Sequence, residues 1–347
     1  MLRLMQTMAG SKMGGAEAFF VRLAIALNSS NITQKLVIRK NANRSQVLNQ
    51  AGINSVQLGF GGQFDLQTRI SLKREISSFR PNVILSWMSR AARMTPRCPE
   101  LYTHIGRLGG YYDLKYFKNC DYLIGNTQDI VDYIIQEGFD SNRVIHLPNF
   151  VDPPSNPPIS RLDLDTPLDE TLLLAMGRLH KNKAFDILIE SLSMVPKTWL
   201  WIAGDGPEAK SLRELANKFG VEDRIRFLGW KDNTDSLMAS ADLFICPSRH
   251  EPLGNVVLEA WAAKKPVIAT AAKGPAELLG NNDNGLLVPI DCPDKLAMAI
   301  NDLINNPAKA SNLAEAGYEA YDKKFTKDIV TAQYISFFEK VKRECVA

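Results

Sequence analysis

The chain has 347 residues, long for one domain and comfortable for two. It is 45% hydrophobic and 23% charged, with no run of about 18 apolar residues, which excludes a disordered chain and a membrane-spanning helix. The net charge of +3 hides an asymmetry, because residues 1–150 balance at +8 and residues 151–347 at −5. A basic first half suits an anionic partner: acidic substrate, membrane surface or nucleic acid. The five cysteines form no C-x-x-C pair and the four histidines have no metal-ligand spacing, which points to a reduced cytoplasm. The apolar part of "MLRLMQTMAGSK" is too short for a signal peptide.

Along the chain, short apolar runs alternate with longer helix-period segments. A first strand runs into the glycine loop of "AGSKMGGAEAFFVRLAIAL" (9–27), and a helix is expected over 15–28. A basic amphipathic helix follows at 66–80, with Leu66, Ile70, Ile76 and Phe79 as its apolar set. Strands are expected at 82–88, 101–106, 122–127 and 143–149, with a helix at 127–137. Six of the 18 prolines then fall between 148 and 167, which reads as a stiff linker. Beyond it, strands are expected at 172–178, 200–204, 224–229, 243–248, 266–270 and 285–289, with helices at 183–194 and 208–219. This alternation predicts an α/β protein of two doubly wound parallel-sheet domains facing a cleft. The boundaries are 1–150, a linker at 151–168, a second domain at 169–325, and a terminal helix within 326–347 that returns to the first domain.

Several stretches carry chemistry. In "RHEPLGNVVLEAWAAKKP" (249–266) a strand is followed by a loop and then a helix from about Gly254. Leading amides of that helix, Leu253, Gly254 and Asn255 among them, offer donors to an anion or hydroxyl. Glu251 lies beside them, and Glu259 lies one turn in, roughly 7 Å along the axis. From Val256 to Ala263 Glu259 is the single charge, so burial would oblige it to find a partner. Two carboxylates flanking an anion site suit a ligand with hydroxyls at both ends and a diphosphate between, that is, a nucleotide-sugar. In "GRLHKNKAFDILIESL" (177–192), Arg178, His180, Lys181 and Lys183 gather positive charge where a strand ends, as a leaving diphosphate requires. Gly14 and Gly15 let backbone approach phosphate at a helix start, and Glu17 suits that helix dipole. "LYTHIGRLGG" (101–110) places His104 near a strand end, where a ligand-contacting group is expected. Between 69 and 97 lie seven Lys/Arg and one acid, Glu75, a patch suited to an anionic membrane or a phosphorylated acceptor. No aromatic-interleaved basic motif accompanies it, so no nucleic acid is expected.

The stretch from Glu251 to Glu259, followed by "KKPVIAT", resembles the E-x7-E signature of glycosyltransferase family 4. Further pieces match in order over nearly the whole chain. The resemblance implies a GT-B fold of two Rossmann-like domains and a retaining transfer of a hexose from a nucleotide-sugar, with no metal. It implies that Glu251 contacts the donor sugar, Glu259 the ribose, and the Leu253–Asn255 amides the sugar and phosphate. It puts Arg178 and Lys183 on the diphosphate, although Ala184 stands where the family usually has glycine. It puts Gly14 and Gly15 on donor phosphate, and His104 against the sugar, with Glu251 and His104 as the catalytic pair. Glu17, Arg90, Arg93 and Arg107 are assigned to the acceptor side. "AGDGPE" (203–208) is expected to line the nucleotide pocket and "FLGW" (227–230) to border the base, while Phe150 replaces the usual glycine of the crossover. Asp163-Leu-Asp165 matches the metal-binding D-x-D of a different glycosyltransferase fold, but it lies in the proline segment and is set aside. The resemblance points to a glycan or glycolipid acceptor of lipopolysaccharide core or envelope polysaccharide, handled in the cytoplasm with peripheral contact at the inner membrane face. Three alternatives remain. One is an NAD-dependent oxidoreductase, for which G-D-G-P-E-A (204–209) nearly matches the dinucleotide fingerprint. The others are a further GT-B activity, such as an epimerase or phosphorylase, and a non-catalytic sugar-nucleotide binder.

Overall fold

A computed structural model describes residues 1–12, 14–62, 64–280 and 282–343. The chain divides into two compact units, Met1–Phe150 with Lys327–Ala347, and Val151–Thr326.

Among the described residues the first unit contains β1 (Leu2–Met8), β2 (Ile32–Arg39), β3 (Ser55–Leu58), β4 (Val83–Trp87), β5 (Thr103–Leu108), β6 (Tyr122–Gly125) and β7 (Val144–His146). They form one sheet in the order β3-β2-β1-β4-β5-β6-β7, and every pairing is parallel. The second unit contains β8 (Thr171–Met176), β9 (Thr198–Ala203), β10 (Ile225–Gly229), β11 (Leu243–Cys246), β12 (Val267–Thr270) and β13 (Leu286–Val288). Their order is β10-β9-β8-β11-β12-β13, again all parallel. Central strands such as β4 and β11 are buried along their whole length, as helices on both faces require. The strand order reverses between β1 and β4 in one sheet and between β8 and β11 in the other. At such a reversal the flanking connections leave to opposite faces and open a crevice at the carboxyl ends of the strands. The loops after β1 and β4, and after β8 and β11, are therefore where a ligand is to be sought in each unit.

The terminal helix, Lys327–Val341, belongs to the first unit. It buries Val330, Tyr334, Phe337 and Phe338 in the same cluster as Phe19, Phe20 and Trp87. Asn82 Nδ2 donates to Arg343 O at 2.9 Å and fixes the end of this segment.

The proline-rich segment departs from the expected linker at 151–168. Val151, Ile159 and Leu164 pack into a core of the second unit. Ile159 N donates to Ser240 Oγ at 2.8 Å, and the Arg161 guanidinium reaches Ser240 O and Asp242. The segment is stitched to one unit from Val151 onward, because its scattered apolar residues have a groove to fill. Phe150 is fully buried in the other unit, edge-on to Phe19 at 5.2 Å. Among the described residues no helix is long and apolar enough to cross a membrane.

Candidate active site

The reversal point of the second sheet gathers the charged residues of two loops. After β8 the chain turns through Gly177 and Arg178, forms a 3-10 turn at Lys181–Lys183, and starts the helix Phe185–Leu192. After β11 it runs through Ser248–Leu253 to the helix Asn255–Ala262, with Gly254 as its N-cap. Backbone amides tie the loops together, since Arg249 N and His250 N both donate to Asn182 O, at 2.8 and 3.1 Å. The Arg249 guanidinium bonds Lys181 O at 2.8 Å, both carboxylate oxygens of Asp186 at 2.9 and 2.6 Å, and Asp291 at 2.5 Å. Sequence reasoning missed Arg249. It precedes Glu251 by two residues, but its acidic partners lie 63 and 42 positions away, and no local pattern announces them.

Held this way, Lys183 Nζ forms an ion pair with Glu251 Oε2. Burial pushes the Lys183 ammonium down, but the Glu251 charge, that of Cys246 and the Glu251 hydrogen bond outweigh it, and the group stays above its ordinary value. Cys246 lies beneath the pair, where burial and then the Glu251 charge raise its thiol to about 11. Both side chains of the pair keep some exposure, 24% for Lys183 and 12% for Glu251, so a ligand can reach the two charges. Arg178 is exposed on the same turn. The amides of Leu253 and Gly254 have no acceptor among the described residues.

The helix Asn255–Ala262 corrects one expectation. It is not buried all round: Val257, Leu258, Ala260, Trp261 and Ala262 face the core, while Asn255, Val256 and Glu259 form a half-exposed face. Glu259 stands on that face one turn above Asn255 and is partly exposed.

The stretch G-D-G-P-E-A serves packing. Gly204 has φ 149, and a Cβ there would lie 1.8 Å from Gly177 O. Gly204 N donates to Gly229 O at 2.8 Å, and Leu179 N to Asp205 O at 2.9 Å. These glycines bring the loops after β8, β9 and β10 together backbone to backbone, a reason for their spacing that needs no dinucleotide. Trp230, half exposed, extends from the end of β10 beside them.

In the first unit, the loop after β1 leads to the helix Gly15–Asn28, with Gly14 as its N-cap. Glu17 is buried and accepts from Ser11 N at 2.6 Å and Ser11 Oγ at 2.9 Å. A Cβ on Gly14 would fall 2.4 Å from its carboxylate, so the glycine loop is folded around Glu17. The carboxylate therefore holds the loop that presents Gly14 and Gly15.

His104 and Arg107 are corrected. β5 begins at Thr103, two residues later than expected, so His104 lies at the amino end of the strand, opposite Ile84. It is 1% exposed. Its Nε2 bonds Ser86 Oγ and its Nδ1 bonds Asn119 O, each at 2.8 Å. Ser86 in turn joins Thr7 and Thr95 at 2.8 and 3.0 Å, so the ring closes a buried chain of hydroxyls. Burial lowers its pKa to about 4 despite the Asn119 hydrogen bond and the Asp121 charge. Such a ring has no nitrogen left for substrate. Arg107 is also 1% exposed, stacked 4.8 Å from Phe19 and 4.6 Å from Trp87. It donates to Tyr334 Oη at 2.9 Å and to Asn149 Oδ1, which ties the terminal helix and the crossover to the sheet.

Arg90 and Arg93 sit on the short helix Met88–Met94 after β4, at the reversal point of the first sheet. With Ser89 and Tyr116 they line a cavity of about 200 Å³. Among the described residues no three His, Cys, Asp or Glu side chains are grouped to hold a metal.

Comparison with known proteins decides the family. Residues 159–320 match the family of glycosyl transferases group 1. A lipopolysaccharide core biosynthesis glycosyltransferase, LpsD, of Rhizobium meliloti is 34% identical over 94% of this chain and 95% of its own length. The chain is a group 1 glycosyltransferase. A second such enzyme of that organism, LpsE, is 33% identical over 93% of this chain and 95% of the relative. The fold matches Anabaena HepE, whose crystal structure holds UDP and glucose, with a TM-score of 0.84 at 21% identity over 98% of this chain and 100% of the other. As a GT-B glycosyltransferase it is an enzyme of sugar transfer, and no comparison points to an oxidoreductase.

Proposed function

We propose that the protein transfers a hexose, with retention at the anomeric carbon, from a nucleotide-sugar to an anionic glycan or glycolipid of lipopolysaccharide core or envelope polysaccharide. The observation that carries this is the Lys183–Glu251 pair at the reversal point of the second sheet, with Arg178 and the Leu253–Gly254 amides around it. The names of LpsD and LpsE support the pathway, and the HepE complex supports a nucleotide donor.

In this reading Glu251 accepts hydrogen bonds from the donor sugar. The Leu253, Gly254 and Asn255 amides meet sugar and phosphate, and Glu259 holds the ribose. As the bond from the anomeric carbon to the diphosphate oxygen breaks, negative charge grows on the leaving group. Arg178 and Lys183 oppose that charge, in a partly dry site where such compensation counts most. Gly14 and Gly15 add backbone donors. The acceptor hydroxyl bonds the anomeric carbon on the face that the diphosphate leaves, and a diphosphate oxygen takes its proton. These cationic side chains supply the compensation, so the reading assigns no metal cofactor.

The exposed face of the helix Leu66–Phe79 supports a cytoplasmic enzyme that docks on the inner membrane face. Phe64, Leu66 and Ile70 are exposed in succession, followed by Lys73 and Arg74, so apolar insertion and anionic lipid attraction fall on one surface. Cosedimentation with phosphatidylglycerol vesicles, lost in Lys73→Glu/Arg74→Glu, checks it; equal retention of that variant counts against it.

Thermal unfolding with UDP, GDP, ADP and NAD tests the donor reading. A ligand of the folded state at 100 times its Kd adds about 2.7 kcal/mol. One nucleoside diphosphate is expected to raise the midpoint and NAD is not; a response to NAD alone would overturn the reading.

A further inference from the structure

The carboxyl edge of the first sheet carries a cationic pocket that the donor-binding groups do not use. β4 ends at Trp87 and turns directly into the helix Met88–Met94, which brings Ser89, Arg90 and Arg93 to that edge. β5 ends at Leu108, and the loop after it reaches the 3-10 turn Leu114–Phe117, which carries Tyr116. Ser89, Arg90, Arg93 and Tyr116 line the open cavity of about 200 Å³. Arg39, the last residue of β2, is not part of that lining but lies close enough to repel Arg90. Partial desolvation, followed by repulsion from Arg39 and Arg93, holds Arg90 below its ordinary value, which places the three charges in one neighbourhood.

No carboxylate among the described residues pairs with any of the three. Arg90 donates to Phe60 O at 3.3 Å, and the Arg93 guanidinium lies 5.6 Å from the Tyr116 ring centroid. Arg93 Nε is buried with no acceptor. The acid on the neighbouring loop, Asp113, is taken by Lys115. Three cations gathered without a counter-charge repel one another, and a buried N–H without an acceptor is costly. Phosphate and carboxylate relieve both penalties, because each accepts from guanidinium forks. A sheet's carboxyl edge at its reversal point is also where a ligand belongs.

We propose that this pocket binds a phosphate or carboxylate group of the acceptor glycan, so that the enzyme selects acidic acceptors over neutral ones. The proposal rests on reading the first unit as the acceptor side.

Calorimetric titration tests it with glucose 6-phosphate, glucuronate and glucose as probes, on wild type, Arg90→Gln, Arg93→Gln, Arg93→Lys and the exposed control Arg143→Gln. Saturable binding of at least one acidic sugar is expected, with none for glucose. Arg90→Gln and Arg93→Gln are expected to weaken it more than tenfold, Arg93→Lys to restore part of it, and Arg143→Gln to leave it unchanged. Tighter glucose 6-phosphate identifies phosphate as the recognised group, and tighter glucuronate identifies carboxylate. Equal affinity across all variants, binding of glucose as tight as that of the acids, or no binding of either acid would overturn the proposal. Arg90 is exposed, so Arg90→Gln serves even if an Arg93 variant fails to fold. A parallel titration with the nucleoside diphosphate that stabilises the protein reports the donor site independently. Its failure, with acidic sugars still bound, would sink the donor reading and leave the pocket standing.

Discussion

His104 in the first unit and Lys183 in the second are both titratable groups set against a parallel sheet, and they are held in opposite ways. Burial drives the His104 ring to about 4 and keeps it neutral, with both nitrogens in fixed bonds to Ser86 and Asn119. Burial opposes the Lys183 charge too, but the Glu251 carboxylate more than offsets it and the ammonium persists. His104 is sealed, whereas the Lys183–Glu251 pair keeps a path to solvent. A polar group whose valences are all spent inside the fold is architecture. A charged pair at the mouth of two loops still has interactions to exchange with a ligand. Arg107 and Arg93 repeat the contrast within one unit: the first is enclosed by Tyr334, Asn149 and two rings, and the second is left with an unused Nε.

Substitutions sharpen this contrast. The largest effect is expected at the exchangeable pair, where Glu251→Gln should lower turnover of the nucleotide-sugar by about 10²–10³-fold, the range for removing one aligned polar group. Wild-type turnover would break the assigned role. Arg107→Met should leave nucleotide affinity per folded molecule intact while lowering stability by about 3 kcal/mol, because Tyr334 and Asn149 lose their donor and two rings lose a stacked cation. Denaturant midpoints and nucleotide titration separate the two readouts; a loss of affinity without a loss of stability would return Arg107 to the binding surface.

His104 predicts a pH dependence. Its folded pKa, about 4, lies below the ordinary 6.5, so between those values the unfolded chain binds a proton that the folded chain refuses. Its contribution is complete above pH 6.5 and is lost as pH falls toward 4, on the order of 3 kcal/mol over the full window. His104→Asn should flatten stability between pH 6.5 and 4, as measured by urea unfolding at stepped pH, and an unchanged slope would contradict the assignment. The smallest effect is expected at Ala184, which has φ 50 and ψ 37, where glycine is at ease. Ala184→Gly relieves about 1 kcal/mol of backbone strain but gives up a buried methyl, so the midpoint should move by less than about 4 °C. A larger fall would mean that the methyl matters more than the backbone.

The sequence shows the fold more fully than the site. Strands such as "LLLAM" and "LFIC" are legible because a parallel strand covered on both faces reads as a short apolar run. The edge strand Ser55–Leu58 and the half-polar Ile32–Arg39 are not, because only part of each is buried. The loops after β8 and β11 are legible through a family resemblance, but the Lys183–Glu251 contact spans 68 positions and no periodicity encodes it. His104 misleads for a simple reason: a shift of two residues in where β5 begins moves it from the ligand end of the sheet to the opposite one. The proline segment misleads because its composition says stiff, while its few apolar residues decide that it packs.

The most direct test of the account is calorimetric titration of wild type, Lys183→Gln and His104→Asn with the nucleoside diphosphate that stabilises the protein. The account predicts that Lys183→Gln weakens binding at least tenfold, about 1.4 kcal/mol, while His104→Asn binds as wild type does. Full affinity in Lys183→Gln, together with a loss in His104→Asn, would contradict it.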